Sequence, residues 1–261
     1  MMLTVTRHDN YFEITLNRPE KRNAITLEMI RQLSAAVAEA ERDSSTRLIV
    51  IRGEGKAFSS GLDLQAIWNV AEEFGPKWQQ NPHALTREWQ SGLNRLAHSS
   101  IPSLALIHGY CLGLGLEIAL ACDFRYATED AVLSLEETRL GLIPDVGGTT
   151  RLVKAIGIPR AKELILTARR IDAETAERWG LINRIVPKTA FDDAATQLTE
   201  SISACAPLAV AAAKRVINGI ADEASGLLLE QTEQAPLFRT ADLQEGIQAT
   251  LEKRPPEWKS Q

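Results

Sequence analysis

The chain has few cysteines and few aromatic residues. Only 5% of its 261 residues are aromatic, and the three cysteines are Cys111, Cys122 and Cys205. Their number is odd, they are widely spaced, and no C-x-x-C pair occurs, so the pattern favours neither a disulfide framework nor a zinc site. We therefore expect three thiols in the protein core and no bound metal.

Long runs of positive charge and long apolar runs are also missing. The chain has 29 Lys and Arg residues against 34 Asp and Glu residues, and its longest basic run is the pair Arg169 and Arg170. This balance argues against a nucleic-acid partner. No apolar stretch is long enough to cross a bilayer, and the first residues do not resemble a signal peptide. The sequence predicts a soluble, cytoplasmic protein with no membrane or nucleic-acid partner.

The chain does have 44% hydrophobic residues, enough for one full-sized core. Residues 11–16 alternate like a strand, residues 26–42 show helical spacing with Thr26 placed as the N-cap, and residues 47–53 form an apolar strand pattern. Strands and helices continue to alternate until residue 147, after which the pattern is almost entirely helical. This order predicts an α/β fold with a helical C-terminal third.

Two segments are expected to lie outside the regular core. Residues 66–92 hold three of the five tryptophans among glycine, proline and asparagine. They predict a helix-and-loop excursion, which either forms one wall of a pocket or packs as a surface helix. The ending "EKRPPEWKSQ" is expected to leave the domain surface.

Each of two predicted strands ends in a glycine-containing turn. "GEGKAFSSGLDL" follows one strand and "HGYCLGLGLEIALACD" follows another, and in the second turn Gly113 and Gly115 flank Leu114 at the start of a helix. The unpaired N–H groups of such a helix start favour an anionic oxygen. If the two turns converge, two N–H groups would form an oxyanion hole, in which each donor contributes roughly 3–4 kcal/mol. Alternatively, the glycines only permit tight turns. Neither turn matches a nucleotide loop or a serine-hydrolase elbow.

Several carboxylates are candidates for acid–base chemistry. Glu117 lies in the first turn of an otherwise apolar helix, where a carboxylate must be paired, hydrogen-bonded or protonated. It is either in a salt bridge with an arginine such as Arg125 or Arg151, or an acid–base group with an altered pKa. The stretch "EETRLGLIPDVGGT" adds three more acids, of which Asp145 could instead serve as a helix-start residue.

The order of five motifs resembles the crotonase superfamily, the enoyl-CoA hydratase/isomerase group, over nearly the full length. These motifs are "AFSSGLDL", "IHGYCLGLGLEIALACDFRYA", "EETRLGLIPDVGGTTRL", "RIDAETAERWGLINRIVP" and "EKRPPEW". The resemblance implies a spiral of repeated β-β-α units over residues 1–190, which holds the acyl-CoA site. It also implies that residues 191–261 form a helical region that covers the site and drives oligomerisation. A homotrimer or a dimer of trimers, a coenzyme A thioester substrate and no cofactor beyond that coenzyme A are implied as well.

The resemblance also assigns roles by position. It implies an oxyanion hole formed by the backbone N–H groups of Leu62, after Gly61, and Leu114, after Gly113. Relatives commonly have a third glycine where this chain has Leu114, which supplies the same N–H if it adopts the required backbone angles. The coenzyme A path would involve the following residues: Ser60, Leu62, Leu64, the apolar Phe238, and Lys253 near the phosphates.

The carboxylates distinguish two possible reactions, hydration and isomerisation. Glu117 and Glu137 match the two glutamates of enoyl-CoA hydratases, which hold one water: Glu117 orients it or acts as the base, and Glu137 delivers a proton to the α-carbon. Asp145 stands where hydratases have glycine and dienoyl-CoA isomerases have a proton-shuttling aspartate. We expect a hydratase, with isomerisation by Glu137 and Asp145 as the alternative and Glu136 facing solvent. The retained glutamates and the acidic balance argue against a catalytically silent scaffold or RNA-binding relative.

Overall fold

The structure is a computed structural model that describes residues 2–68, 74–75, 83–220, 232, 236, 240–252 and 254–259. Phe238, Lys253 and most of the segment between residues 69 and 82 lie outside these ranges. The coenzyme A contacts expected of Phe238 and Lys253 therefore stay predictions.

Two sheets organise the described residues. The nine strands are β1 (Leu3–Arg7), β2 (Tyr11–Leu16), β3 (Leu48–Gly53), β4 (Ser103–Ile107), β5 (Tyr110–Leu112), β6 (Phe124–Ala127), β7 (Val132–Ser134), β8 (Ile171–Asp172) and β9 (Arg184–Ile185). The larger sheet has the order β1-β2-β3-β4-β6-β9, and the smaller has the order β5-β7-β8. In the larger sheet only β1 and β2 are antiparallel, and every other neighbouring pair is parallel.

Helices cover both faces of the larger sheet. Those used below are α1 (Leu27–Ala40), α2 (Leu64–Trp68), α3 (His83–His98), α4 (Leu114–Ala121), α5 (Gly148–Thr167), α6 (Ala173–Trp179), α7 (Phe191–Ser203), α8 (Pro207–Gly219) and α9 (Ala241–Glu252). Short 3-10 helices occur at Pro19–Lys21, Glu137–Leu140 and Lys188–Ala190. The predicted α/β class with a helical C-terminal part is confirmed.

Strand β3 is a continuous apolar run because both of its faces are covered. Successive side chains of a strand point to opposite faces, and a parallel sheet is covered on both. Ile49 and Ile51 face the main core, which includes buried side chains of α1, α3 and α4. Leu48 and Val50 face a second cluster that includes Phe191 of α7. The proposed division between residues 190 and 191 stays a prediction, although α7 packs directly on the sheet.

The cap of α1 is as the sequence predicts. Thr26 has extended backbone angles, and its hydroxyl accepts the backbone N–H of Met29 over 3.3 Å. The helix then buries a stripe of apolar side chains that includes Ile30, Leu33 and Val37. Local capping chemistry and a 3.6-residue period were sufficient to place this element.

Two expectations about the C-terminal part and the thiols were wrong. The ending does not leave the surface: the indole Nε1 of Trp258 donates to the carbonyl of Ser203 over 3.1 Å, and the N–H of Lys259 donates to Asp242 over 2.7 Å. These bonds fold the ending back onto α9 and the end of α7. Cys205 is exposed because it lies in the turn between α7 and α8, whereas the other two cysteines are buried.

Candidate active site

The two glycine turns lie against each other. Gly61 and Gly113 both have positive φ angles, 95° and 49°, which favour glycine. A Cβ on Gly61 would lie 2.8 Å from the carbonyl oxygen of Leu112 and 3.6 Å from the backbone nitrogen of Leu114. Residues some fifty positions apart therefore meet, which is the condition for an oxyanion hole, and there is no room for a side chain between the turns.

Ser59 connects the two turns. Its backbone pairs with β5, because its N–H donates to the carbonyl of Tyr110 over 2.9 Å and its carbonyl accepts the N–H of Leu112 over 3.0 Å. Its hydroxyl donates to the carbonyl of Asn23 over 2.8 Å and accepts the N–H of Gly61 over 3.1 Å. One fully buried serine thus fixes the first turn relative to the strand that leads into the second.

Within the described part of the chain, the backbone N–H groups of Leu62 and Leu114 donate to no protein acceptor. Ile25 bridges to Leu62 through the carbonyl of Gly61 and the N–H of Asp63, which directs the N–H of Leu62 to the other side of the chain. Leu114 is the first residue of α4, so its N–H has no acceptor within the helix. Neither N–H has a hydrogen-bond partner among the described residues. The oxyanion-hole role of both stays a prediction.

Leucine at position 114 fits without strain. The left-handed backbone angle falls on Gly113, not on Leu114. The side chain of Leu114 is buried in the main core with only 4% exposure, so it does not fill the space at the turn. The departure from a triple glycine therefore preserves the backbone N–H.

Glu117 is bound by backbone donors, not by an arginine. Its side chain is 2% exposed, and its Oε1 accepts the N–H groups of Val146 at 3.0 Å and Gly148 at 2.8 Å. Within the described residues it forms no ion pair with Arg125 or Arg151, so the salt-bridge alternative was wrong. Burial raises the pKa of Glu117 to about 8, and the charge of Glu137 adds to this rise, while the two N–H donors oppose it.

Glu137 lies beside the second glycine turn. It is the first residue of the 3-10 helix Glu137–Leu140, and its Oε1 would be 2.9 Å from a Cβ on Gly113. Its Oε2 is buried and has no hydrogen-bond partner in the part of the chain that the structure describes. Burial raises the pKa of Glu137 to about 7, and the charges of Glu136 and Asp145 add to the rise. An unpartnered buried oxygen of this kind favours the protonated acid.

Asp145 is exposed and held by α3. Its Oδ2 accepts the hydroxyl of Thr86 over 3.0 Å, and its backbone carbonyl accepts the side-chain amide of Gln90 over 2.6 Å. Helix α5 begins only at Gly148, with Gly147 at the N-cap, so Asp145 does not cap it. The charge of Asp145 nevertheless raises the pKa values of both Glu117 and Glu137.

Glu136, the neighbour of Glu137, is paired with an arginine. It forms two hydrogen bonds with the guanidinium of Arg170, at 2.6 and 3.2 Å, and this guanidinium also lies over the ring of Tyr110. Its side chain is 23% exposed. The expectation that Glu136 faces solvent is therefore only partly met, because an ion pair covers it.

Two of the residues expected along the coenzyme A path, Ser60 and Leu64, are partly exposed next to the first turn. Ser60 donates its N–H to the carbonyl of Arg22 over 2.9 Å, and Leu64 at the start of α2 is half exposed. Their contact with substrate stays a prediction. Among the described residues no cluster of histidine, cysteine and acidic side chains could hold a metal ion, and no helix there is long and apolar enough to span a membrane.

Asn23 supports the first glycine turn, and the sequence patterns above did not single it out. It is fully buried with a positive φ of 54°. Its amide donates to the carbonyls of Glu54 and Ala57, at 2.9 and 2.8 Å, and so fastens the segment that leads into the first glycine turn. The signal was present in "NRPEKRN", because asparagine is the non-glycine residue that most readily adopts this conformation.

The protein is thus an α/β protein in which a buried and a partly buried glutamate lie beside two paired glycine turns. The family model for enoyl-CoA hydratase/isomerase matches residues 6–261. Among solved structures, the enoyl-CoA hydratase from Bacillus anthracis is 36% identical, with a TM-score of 0.91 and 100% of both chains covered. The chain therefore belongs to the enoyl-CoA hydratase/isomerase family and has its crotonase fold.

Relatives within the family carry different names. YngF of Bacillus subtilis, named as an enoyl-CoA hydratase/isomerase, is 40% identical over 256 residues, which are 97% of this chain and 96% of YngF. The mitochondrial Delta(3,5)-Delta(2,4)-dienoyl-CoA isomerase of Dictyostelium discoideum is 34% identical over 271 residues, covering 98% of this chain and 91% of the relative. The family is thus established, and its two activities are both represented among relatives.

Proposed function

We propose that this protein is an enoyl-CoA hydratase, which adds water across the 2,3 double bond of a 2-trans-enoyl-CoA. One observation carries the proposal: the buried Glu117 and the partly buried Glu137, both with raised pKa values, lie beside the paired glycine turns, and they differ in their surroundings. Glu117 has one oxygen fixed by two N–H donors, and Glu137 has one oxygen that finds no hydrogen-bond partner among the described residues.

The free N–H groups supply the activation in this proposal. The thioester oxygen would accept the N–H groups of Leu62 and Leu114, so that negative charge develops on an oxygen that two donors stabilise. The β-carbon then becomes open to attack by water. Binding would continue along Ser60, Gly61 and Leu64 for the coenzyme A portion. No cofactor other than this coenzyme A is invoked, because backbone donors and two carboxyl groups suffice for the chemistry.

The two glutamates supply the proton transfers. Glu117 removes a proton from the attacking water, whose hydroxyl adds to the β-carbon, and Glu137 gives its proton to the α-carbon. The proton gained by Glu117 replaces the one that Glu137 gave up, so the pair again holds one proton after relay between them. Two interacting carboxyl groups shielded from water resist ionising together, which favours one shared proton near neutral pH. Hydration uses the form in which this proton lies on Glu137 and Glu117 is ionised.

Isomerisation of a dienoyl-CoA is the second candidate, and Asp145 is the observation that favours it. Its charge acts on both glutamates, and a relative named as a dienoyl-CoA isomerase is 34% identical. In that reaction Glu137 and Asp145 would move a proton between carbons of the substrate. Hydration is the better supported candidate because Asp145 is exposed and bonded to Thr86, whereas Glu117 is buried.

Two substrates test the proposal. The purified protein is mixed with crotonyl-CoA and, separately, with a 3,5-dienoyl-CoA, and the change in absorbance of each is followed. We expect turnover of crotonyl-CoA, little changed in Asp145→Asn, whose amide oxygen still accepts a hydrogen bond from Thr86. Activity confined to the dienoyl-CoA and lost in Asp145→Asn would establish the isomerase instead.

We also propose that the chain assembles as a homotrimer or a dimer of trimers. Several large apolar side chains that a monomer leaves exposed support this: Leu140, Leu142, Ile143, Ile158 and Leu166. Light scattering coupled to size-exclusion chromatography tests it, and a monomeric mass at micromolar concentration would contradict it.

A further inference from the structure

Three polar side chains of helix α3 hold the loop 145–148, two of them directly and one through Arg151. Thr86, Gln90 and Asn94 are spaced four residues apart, which places them on one face of the helix. Thr86 donates to the Asp145 carboxylate over 3.0 Å, and Gln90 donates to the Asp145 carbonyl over 2.6 Å. Asn94 accepts a hydrogen bond of 2.7 Å from Arg151. We call these three residues the α3 ladder.

Arg151 continues the ladder to the next residues of the loop. Its other terminal nitrogen donates to the carbonyl of Val146 over 3.1 Å. The same guanidinium lies directly against Gly147, where a Cβ would overlap it. Asp145, Val146 and Gly147 are therefore all in contact with the ladder or with the arginine that Asn94 binds.

This loop is the part of the molecule that holds Glu117. The N–H groups of Val146 and Gly148 are the two donors to its Oε1, and no other hydrogen bond to this carboxylate is found within the described residues. The position of the Glu117 side chain therefore depends on the position of the loop that contains Val146 and Gly148. The loop in turn depends on polar contacts with a helix that contributes no group to Glu117 itself.

Another part of the α3 surface is anchored in the core. Leu93 and Leu96 are fully buried, and Gly92 approaches Ile30 of α1 so closely that a Cβ would lie 2.3 Å from its methyl group. Arg31 of α1 also pairs with Glu88 over 3.0 Å. The α3 ladder therefore lies on a helix that core packing holds in place, and such rigidity is what the positioning of a reacting group requires.

We propose that Thr86, Gln90 and Asn94 are positioning residues, which hold the loop 145–148 where its N–H groups reach the Glu117 carboxylate. The kinetic part of this inference rests on the proposed hydratase function, while the structural part does not. It also gives Asp145 a role as the point where the ladder fastens the loop. Thr86, Gln90 and Asn94 touch neither the glutamates nor, in this proposal, the substrate.

The experiment removes the polar groups and keeps the shapes. In the triple variant Thr86→Val, Gln90→Met, Asn94→Leu, amide hydrogen exchange is measured at Val146 and Gly148 in the full chain. We expect exchange at both to rise about tenfold or more, because loss of the ladder lets the loop open locally. Ser91→Ala is the matched control, since among the described residues its hydroxyl bonds only to the carbonyl of Glu88 in the same helix, and its exchange should equal wild type.

Kinetics provide the second readout. We expect kcat for crotonyl-CoA to fall roughly 10- to 100-fold with KM changed less than about threefold, because a displaced acid–base group affects reaction more than binding. The acidic limb of the kcat profile should move to higher pH, since the lost N–H donors favoured ionised Glu117. Thr86→Ser, which keeps the hydroxyl, should retain the kcat that Thr86→Val lowers.

The outcomes separate the two proposals. A wild-type protein that hydrates no enoyl-CoA refutes the proposed function, and exchange at Val146 and Gly148 still tests the positioning role. Unchanged exchange, or faster exchange with unchanged kcat and pH profile, overturns the positioning role. If the triple variant does not fold, the partly exposed Thr86→Val and Thr86→Ser pair is compared by the same measurements, with equal exchange in both as the overturning result.

Discussion

Gly148 donates its backbone N–H to the Oε1 of Glu117 over 2.8 Å, and a Cβ on this glycine would lie 2.6 Å from the same oxygen. Gly148, the first residue of α5, thus donates a hydrogen bond to the Glu117 carboxylate and also packs directly against it. Glycine is required at position 148 because the Glu117 carboxylate lies so close, and not because of an unusual φ angle.

Gly148→Ala is therefore expected to displace the Glu117 carboxylate. We expect kcat for crotonyl-CoA to fall roughly 100-fold, which is comparable to losing one preorganised hydrogen bond at a reacting group. Steady-state kinetics and circular dichroism check this together. Thr150→Ala, in the same helical turn but exposed, is the control and should keep the wild-type kcat. Wild-type activity of Gly148→Ala would show that the close contact between Gly148 and Glu117 is not needed for catalysis.

Glu117→Gln is expected to lower activity by orders of magnitude and to raise stability. The folded protein binds the Glu117 proton more tightly than the unfolded chain, because the pKa is about 8 instead of the usual 4.5. Ionising the group therefore costs stability, and this cost grows as the pH rises from about 4.5 to about 8. Melting temperatures are compared at pH 5 and pH 8.5. The advantage of the glutamine variant should be several degrees at the higher pH and smaller at the lower one; an equal difference at both would contradict the raised pKa.

Ser59→Ala is expected to loosen the contact between the two glycine turns. The change removes a hydroxyl that donates to Asn23 and accepts from Gly61 in a fully buried position, which costs about 1–3 kcal/mol. We expect a lower melting temperature and a lower kcat. Ser201→Ala provides the comparison, because the exposed Ser201 hydroxyl donates to the carbonyl of Gln197 within α7. Unchanged kcat in a destabilised Ser59→Ala protein would limit Ser59 to a structural role.

The adjacent residues Glu136 and Glu137 are expected to respond in opposite ways to the same change. Glu136→Gln removes one half of a partly exposed ion pair with Arg170, which contributes about 0–1 kcal/mol, and kcat should stay near wild type. Glu137→Gln removes the proton donor and should abolish turnover. Both variants are assayed with crotonyl-CoA at pH 7. Wild-type hydration by Glu137→Gln would refute its assignment.

Local patterns in the sequence placed most of the regular structure. The 3.6-residue spacing and the Thr26 cap defined α1, and the apolar run at β3 indicated a strand covered on both faces. The glycine turn at Gly113 was visible because a helix start follows it directly. These features depend on residues close together in the chain, and a resemblance over the whole length then fixed the order of the elements.

Contacts between distant residues were beyond such patterns. Nothing near Glu117 in the chain shows that its partners are backbone N–H groups some thirty positions later. The hydrogen bond between Thr86 and Asp145 joins residues on separate elements, and the return of Trp258 to Ser203 likewise depends on how helices pack. The sequence could therefore name the candidate acids, whereas only the structure distinguishes their surroundings.

The three thiols differ enough to make one of them a chemical handle. Cys111 and Cys122 are fully enclosed, and burial raises the pKa of each, which keeps them as unreactive thiols. Cys205 is exposed between α7 and α8 and lies two residues from the Ser203 carbonyl that binds Trp258. A maleimide fluorophore added to the native protein should attach at this single position, without any cysteine being replaced, and its emission would report when the C-terminal ending detaches.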